Sequence, residues 1–339
     1  MKNTISFFLL LLGTLAYSQN LVKPNVLIIT TGGTIASKTD APLIEGHELI
    51  QAVPQLKDYA NVEVEEFVRV GSSRMTPEIW LSLTKRISTV LKEKPDLKSI
   101  IITHGTDTME ETAFFLNLTH ISDVPIILVG SMRSSNEISP DGPANLINAV
   151  RVGISPEAIG KGVMVVMNEN ISAGRDLIKS NNRRVDAFAS TEIGFLGFVD
   201  PEKVTFYRTP SKAHTLHSEF NVYELVSLPE VEIIQDYAGL DPSIFSYFLN
   251  RPNQGLVISS FAGGRFSAGF DQVYNMKANL KPIVISSSIK NGRIMGTNPK
   301  DSPVVIANDL PANKARILLM LSLTKTSDVV KIQGYFNKY

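Results

Sequence analysis

Two short segments place threonine beside glycine in a way that suits acyl chemistry. The first is Thr31-Gly32-Gly33-Thr34-Ile35-Ala36, directly after the apolar run Val26-Leu27-Ile28-Ile29. Paired glycines permit a tight turn and leave backbone N–H groups uncovered, and such donors can hold a developing oxyanion. Gly33 would then border a ligand and Thr34 would offer its hydroxyl. The same residues could instead form a plain turn before a helix or a weak phosphate loop, although no P-loop lysine or dinucleotide glycine fingerprint is present.

The second segment is Thr103-His104-Gly105-Thr106-Asp107-Thr108-Met109-Glu110-Glu111. Thr106 and Asp107 stand where a helix should begin. Asp107 is therefore either a helix N-cap or a carboxylate that grips a ligand ammonium beside a second hydroxyl. A threonine hydroxyl is a weak nucleophile and needs a base. Lys179, in Arg175-Asp176-Leu177-Ile178-Lys179-Ser180-Asn181, could supply one to Thr106 if screened from water near another cation. Otherwise it is an ordinary solvated lysine.

Both threonine segments follow β-branched apolar runs, and similar runs recur at Ser99–Thr103, Pro125–Val129 and Val163–Met167. Helical patterns lie between them. Thr76-Pro77 is an N-cap followed by proline at the first helical position, and Glu110–Leu116 and Asn145–Val150 are also helical. Strand alternating with helix predicts an α/β protein built on a parallel sheet, and ligands of open α/β sheets bind beyond the carboxyl ends of the strands. Residues 208–229 are polar and aperiodic and read as a linker, with His214 and His217 as solvated positions in it. A smaller α/β series follows, with strands near 231–235, 255–259 and 282–286 and a closing helix from Ala312 to Thr324. A length of 339 residues suits two such domains.

Composition narrows the classes. Lys+Arg and Asp+Glu both total 33, so the basic excess that nucleic-acid binding usually leaves is missing. With no cysteine, disulfides and thiolate chemistry are excluded, and the five scattered histidines show no metal-ligand spacing. Lys2, the apolar stretch Ile5–Ala16 and the small residues Ala16 and Ser18 form a signal-peptide pattern, with cleavage expected after Ser18. No second long apolar run follows, so no membrane partner is expected after cleavage, and the mature protein is expected to be periplasmic or secreted.

The two threonine segments, read together, resemble the paired signatures of the asparaginase/glutaminase family, in its bacterial type II L-asparaginase branch. Met132-Arg133, Asp141-Gly142-Pro143-Ala144-Asn145-Leu146, Met167-Asn168, Gly174-Arg175-Asp176 and Lys179 keep the family's order and approximate spacing. The resemblance runs from about Asn25 to Tyr339. It implies a large N-terminal α/β domain (19–207) and a smaller C-terminal one (230–339) after a signal peptide (1–18) and joined by the 208–229 linker. It further implies a homotetramer, no cofactor and no metal. Thr34 matches the primary nucleophile, and Thr106, Asp107 and Lys179 match the second part of the site. Asp107 would hold the substrate α-ammonium and Ser72, in Gly71-Ser72-Ser73-Arg74-Met75, the α-carboxylate.

The implied reaction is hydrolysis of L-asparagine to L-aspartate and ammonia. A dual glutaminase-asparaginase and a catalytically weak exported amino-acid-binding protein are the rival readings. The segment after Thr34 is short and holds no tyrosine before Tyr59, whereas well-known members carry one there that assists the nucleophile. Ser73-Arg74 replaces the usual pair beside the binding serine, and 291–300 lacks the acidic residue that usually reaches a neighbour's site.

Overall fold

The computed structural model describes residues 22–33, 46–270, 281–295 and 304–339, so the expected signal peptide lies outside the described residues. The N-terminal part holds an eight-stranded sheet. Its strands are β1 (Asn25–Thr30), β2 (Asn61–Glu66), β3 (Leu97–Thr103), β4 (Ile126–Val129), β5 (Val163–Met167), β6 (Asn170–Ala173), β9 (Gly197–Val199) and β10 (Val204–Phe206), in the order β10-β9-β6-β5-β4-β3-β1-β2. A separate two-stranded ladder joins β7 (Leu177–Lys179) to β8 (Phe188–Ser190).

The sheet is parallel from β2 through β5. Its inner strands are buried along almost their whole length, which is why they read as continuous Val/Ile/Leu runs instead of alternating ones. Beyond β5 the pairing turns antiparallel, which the strand–helix alternation did not reveal. The reason is local. Met167 pairs with Asn170, and the two intervening residues, Asn168 and Glu169, both take positive φ (49° and 66°). That is the requirement of a two-residue hairpin, so no crossover helix is needed.

Helices cover both faces. Short helices α1 (Gly46–Gln51) and α2 (Leu56–Tyr59) and the longer α5 (Gly142–Ile154) lie on one side, whereas α3 (Pro77–Glu93) and α4 (Met109–Thr119) lie on the other. As the Thr76-Pro77 pair predicts, the Thr76 hydroxyl caps α3 by accepting from the Ile79 amide. Tyr59 sits beside the amino-terminal start of β2, against Arg151, at the end of the sheet away from the strand carboxyl ends.

The C-terminal part is a four-stranded parallel sheet, β11 (Val231–Gln235), β12 (Gly255–Ser260), β13 (Ile283–Ser287) and β14 (Val304–Ile306), with helices α6 (Pro242–Asn250), α7 (Ala312–Leu323) and α8 (Val329–Lys338). One apolar cluster is shared by both parts: Trp80, Phe114 and Phe115 meet Ile317, Leu321 and Phe336. Between the sheets, residues 208–229 contain one 3-10 turn (Thr215–His217), and Phe220 and Val222 are buried in that shared cluster. His214 is also buried, its ring bonded to the Thr215 hydroxyl, which corrects the expectation that it is solvated.

An ion pair between a buried arginine and a half-buried aspartate ties the parts together. Arg175 donates twice to the Asp309 carboxylate at 2.8 Å, once to the backbone oxygen of Tyr339 and, at 3.3 Å, to the neighbouring Asp176 carboxylate. Burial alone would raise the Asp309 carboxyl, but the Arg175 guanidinium outweighs it and holds the carboxyl below its usual range. Removing one partner leaves the other charge without compensation. Arg175→Met should therefore cost about 3 kcal/mol at neutral pH, the low end for a buried pair because Asp309 can partly rehydrate. Because the folded Asp309 value is depressed, its contribution is complete above about pH 4 and is lost as pH falls through the lower folded value. Denaturation midpoints of wild type and variant should accordingly converge in acid.

Candidate active site

The order β2-β1-β3-β4-β5 reverses direction at β1, and the crevice at such a switch point is where open α/β sheets place ligands. Both threonine segments leave strands that flank it. Thr31, just past β1, is fixed by its amide and its hydroxyl, both donating to the Thr103 carbonyl at 3.1 and 2.8 Å. Gly32 and Gly33 then adopt φ of 99° and 92°, open to glycine and strained for other residues. A side chain on Gly33 would lie 2.3 Å from the Gly105 amide nitrogen, so the two loops touch backbone to backbone. Thr34 lies outside the described residues.

Gly105 is equally close to the third loop. A Cβ on it would fall 2.6 Å from Ser72 Oγ. Ser72 opens a 3-10 turn (Ser72–Arg74) and is buried. Its Oγ accepts from the Asp107 amide at 3.1 Å and its carbonyl accepts from the Thr108 hydroxyl at 2.8 Å. With that acceptor role filled, the Ser72 hydroxyl proton is available to a ligand oxygen.

Thr106, Asp107 and Lys179 converge as their residue types suggested. Lys179 Nζ lies 2.9 Å from Thr106 Oγ1 and 2.8 Å from Asp107 Oδ1. The Lys179 side chain is only 17% exposed, so it is not a solvated surface lysine, whereas the Asp107 side chain is 63% exposed. Asp107 is not a helix cap either: the N-cap of α4 is Thr108, and the Asp107 carboxylate goes to Lys179 instead.

Other members of this scaffold carried no assigned role in the sequence. His104 is fully buried, and burial pushes its imidazole down to about 4, so it is neutral near pH 7. Its Nδ1 faces the Gly105 carbonyl at 2.7 Å and must donate there, leaving Nε2 to accept from the Thr112 hydroxyl, which in turn accepts from Trp80 Nε1. This uncharged chain orients the Gly105 turn from the helix side. On the far wall, the Asp141 carboxylate accepts from the amides of Met132 and Arg133, and Asn145 spans the Gly130 carbonyl and the Asn168 amide. Those residues were visible as motif positions, but only the fold shows that they shape the loop after β4.

Comparison with known proteins agrees with this geometry. The family description "Asparaginase, N-terminal" matches residues 25–212, and "Glutaminase/Asparaginase C-terminal domain" matches 230–336. The chain belongs to the asparaginase family. It is similar to "L-asparaginase 2" of Bacillus subtilis, 42% identical over 328 residues that cover 93% of this chain and 87% of that protein. It is also similar to a "Probable L-asparaginase periplasmic" of Haemophilus influenzae, at 38% identity with 93% of each chain covered. A crystal structure of a probable cytoplasmic L-asparaginase from Campylobacter jejuni superposes with a TM-score of 0.88 at 41% identity, covering 94% of this chain and all of that one. The two-domain α/β architecture is thus the family's.

The contact between Gly33 and Gly105 gives a direct test. Gly33→Ala should separate the β1 and β3 loops by about 1 Å, a displacement that can cost on the order of a hundredfold in turnover. The protein should still fold, with a lower melting temperature. Steady-state assays beside thermal denaturation will show whether the loss in turnover exceeds the loss in folded protein.

Proposed function

We propose that this chain hydrolyses L-asparagine to L-aspartate and ammonia. The observation that carries the reading is the bonding of Lys179 Nζ to Thr106 Oγ1 and Asp107 Oδ1 at the switch-point crevice, beside the glycine pair that leads into Thr34. In this reading Asp107 receives the substrate α-ammonium on its open side, and the Ser72 hydroxyl donates to the α-carboxylate. Charge-assisted bonds of this kind contribute about 1.5–3 kcal/mol each and fix the orientation of the side-chain amide.

Thr34 Oγ attacks the amide carbon and loses its proton. The carbonyl electrons move onto oxygen, where backbone donors of the glycine turn stabilise them. As the tetrahedral centre collapses, the C–N bond breaks and the nitrogen takes a proton to leave as ammonia. Water then adds to the aspartyl ester, the C–O bond to Thr34 breaks, and the threonine recovers its proton. Thr106 and Lys179 handle protons on the facing wall. Tyr59, at the wrong end of the sheet, has no part in this sequence.

The mature enzyme, in this reading, begins at Gln19 after export and works as a homotetramer. The signal pattern at Lys2–Ser18 and the word "periplasmic" in the name of the Haemophilus relative support export. Intact-mass measurement on protein from the native host should find Gln19, free or cyclised, as the first residue. A cytosolic species that keeps Met1 would rule export out.

Ammonia release from asparagine and from glutamine, measured side by side, tests the activity. Turnover of asparagine is expected; comparable turnover of glutamine would mark a dual glutaminase-asparaginase, and binding without release an amino-acid-binding protein. Thr34→Ala and Lys179→Met should each lower kcat by about a thousandfold or more while aspartate still binds, as expected when members of one catalytic unit are removed. Peptide mapping after trapping with a slow substrate should place the acyl group on Thr34. A label on Thr106 would reverse the assignment of the nucleophile.

A further inference from the structure

Strand β7, which ends in Lys179, has a strand partner on one edge only. On that edge Ser180 donates to the Ala187 carbonyl and Thr191 donates to the Asp176 carbonyl, so the even-numbered residues face β8. Alternation along a strand turns the backbone groups of Arg175, Leu177 and Lys179 to the opposite edge. Side chains occupy that edge in place of a strand. Glu110 Oε2 accepts from the Lys179 amide at 2.9 Å, and Lys314 Nζ donates to the Arg175 carbonyl at 2.6 Å and to the Leu177 carbonyl.

These side chains are themselves held. Glu110, on α4 one turn past Thr106 and Asp107, is buried, and its second oxygen accepts from Asn313 Nδ2 at 2.8 Å. Lys290 reaches the same oxygen at 3.8 Å and points its ammonium at the Lys179 carbonyl at 3.5 Å. Asn313 is oriented by the Lys314 amide, which donates to its Oδ1. Lys314 is completely buried; burial depresses its ammonium to about 8, while the Glu110 and Asp176 carboxylates favour its charge. Asn313 and Lys314 begin α7 of the C-terminal domain. None of these groups touches Thr106 or Asp107 through an observed bond, yet together they satisfy the backbone from which the Lys179 side chain projects.

We propose that Glu110, Asn313 and Lys314 are positioning residues that act through Lys179, so that the C-terminal domain holds the Lys179 ammonium against Thr106 by completing the open edge of β7. The inference rests on the proposed role of Lys179 in turnover. A buried strand edge stripped of these partners must move toward water or toward new partners, and the Lys179 ammonium moves with it. Of the substrate-gripping groups, Ser72 makes no bond to Lys179, and the Asp107 backbone stays tied to Ser72 through the Asp107 amide and the Thr108 hydroxyl. The expected signature is a fall in kcat with little change in KM.

The test measures kcat and KM for asparagine in the full-length mature protein for Glu110→Met, Glu110→Gln, Lys314→Met and Asn313→Ala, and repeats each in a Lys179→Met background. Glu110→Met and Lys314→Met should lower kcat by about ten- to a hundredfold, in line with misplacement by roughly 1 Å, with KM within about threefold. Glu110→Gln retains an acceptor for the Lys179 amide and should recover most of kcat. In the Lys179→Met background the same changes should cost nothing further, because groups that act through one residue are non-additive with its loss. Asn313→Ala, at a half-buried position, gives the same pattern at smaller amplitude and serves if Lys314→Met fails to fold.

Wild-type kcat in folded Glu110→Met and Lys314→Met would overturn the proposal, as would full additivity with Lys179→Met or a Glu110→Gln as poor as Glu110→Met. Wild-type turnover in Lys179→Met alone would remove the role of Lys179 itself, and with it the proposed positioning. That result is distinguishable because it needs no second substitution.

Discussion

The approach of Gly33 to Gly105 sets the geometry of the crevice. Where a Cβ on Gly33 would stand 2.3 Å from the Gly105 nitrogen, only glycine fits, and the β1 and β3 loops are brought into contact with no side chain between them. Gly105 is packed in turn against the Ser72 side chain, so three loops from one sheet end share a floor in which two glycine backbones meet a single small hydroxyl. Such a floor presents amide donors at positions fixed by the strands. Its glycine amides have no rotamer to reorganise when charge develops on a bound carbonyl, and the Ser72 hydroxyl is held by the Asp107 amide, which is the condition under which hydrogen-bond donors do most for a transition state.

The groups that hold this floor differ in kind from those that line it. The chain from Trp80 through Thr112 to His104 is buried and, near neutral pH, uncharged. It fixes the Gly105 carbonyl without placing a competing charge beside the ligand. The charges are on the open side instead, where Asp107 and Lys179 meet. A buried neutral network next to a partly exposed ion pair lets the pair respond to an incoming ammonium while the backbone beneath it stays still.

Much of this was legible in the sequence, and the exceptions have physical causes. The parallel strands and α3 with its Thr76 cap announced themselves because continuous burial and capping leave local signatures. The meeting of Thr106, Asp107 and Lys179 was legible too, through motif order, although Lys179 is 73 residues from Thr106. The antiparallel extension was not, because it depends on positive φ at Asn168 and Glu169, neither of which is glycine. His214 looked solvated because polar neighbours surround it in the chain, yet the fold buries it beside Gly162. The helix-cap reading of Asp107 failed for a tertiary reason: Lys179 competes for the carboxylate, and α4 starts one residue later. Nothing local in Asn313-Lys314 links them to Glu110, since the bond spans 203 residues and uses residue types common on any helix.

The second domain stands apart from the crevice in sequence but not in its bonding. It meets the first through an apolar cluster around Trp80 and Phe336, and also through Arg175–Asp309 and Lys314. The apolar cluster draws the two parts together by burial of large side chains, which is strong but undirected. Buried charges add little net stability over apolar substitutes, but they are directional. Arg175, Leu177 and Lys179 belong to one short segment, and every polar contact from the C-terminal domain to it falls on the backbone or on Arg175. The expensive, directional contacts are thus concentrated on the stretch of chain that carries the lysine, which is the distribution expected if their role is to fix a position more than to add stability.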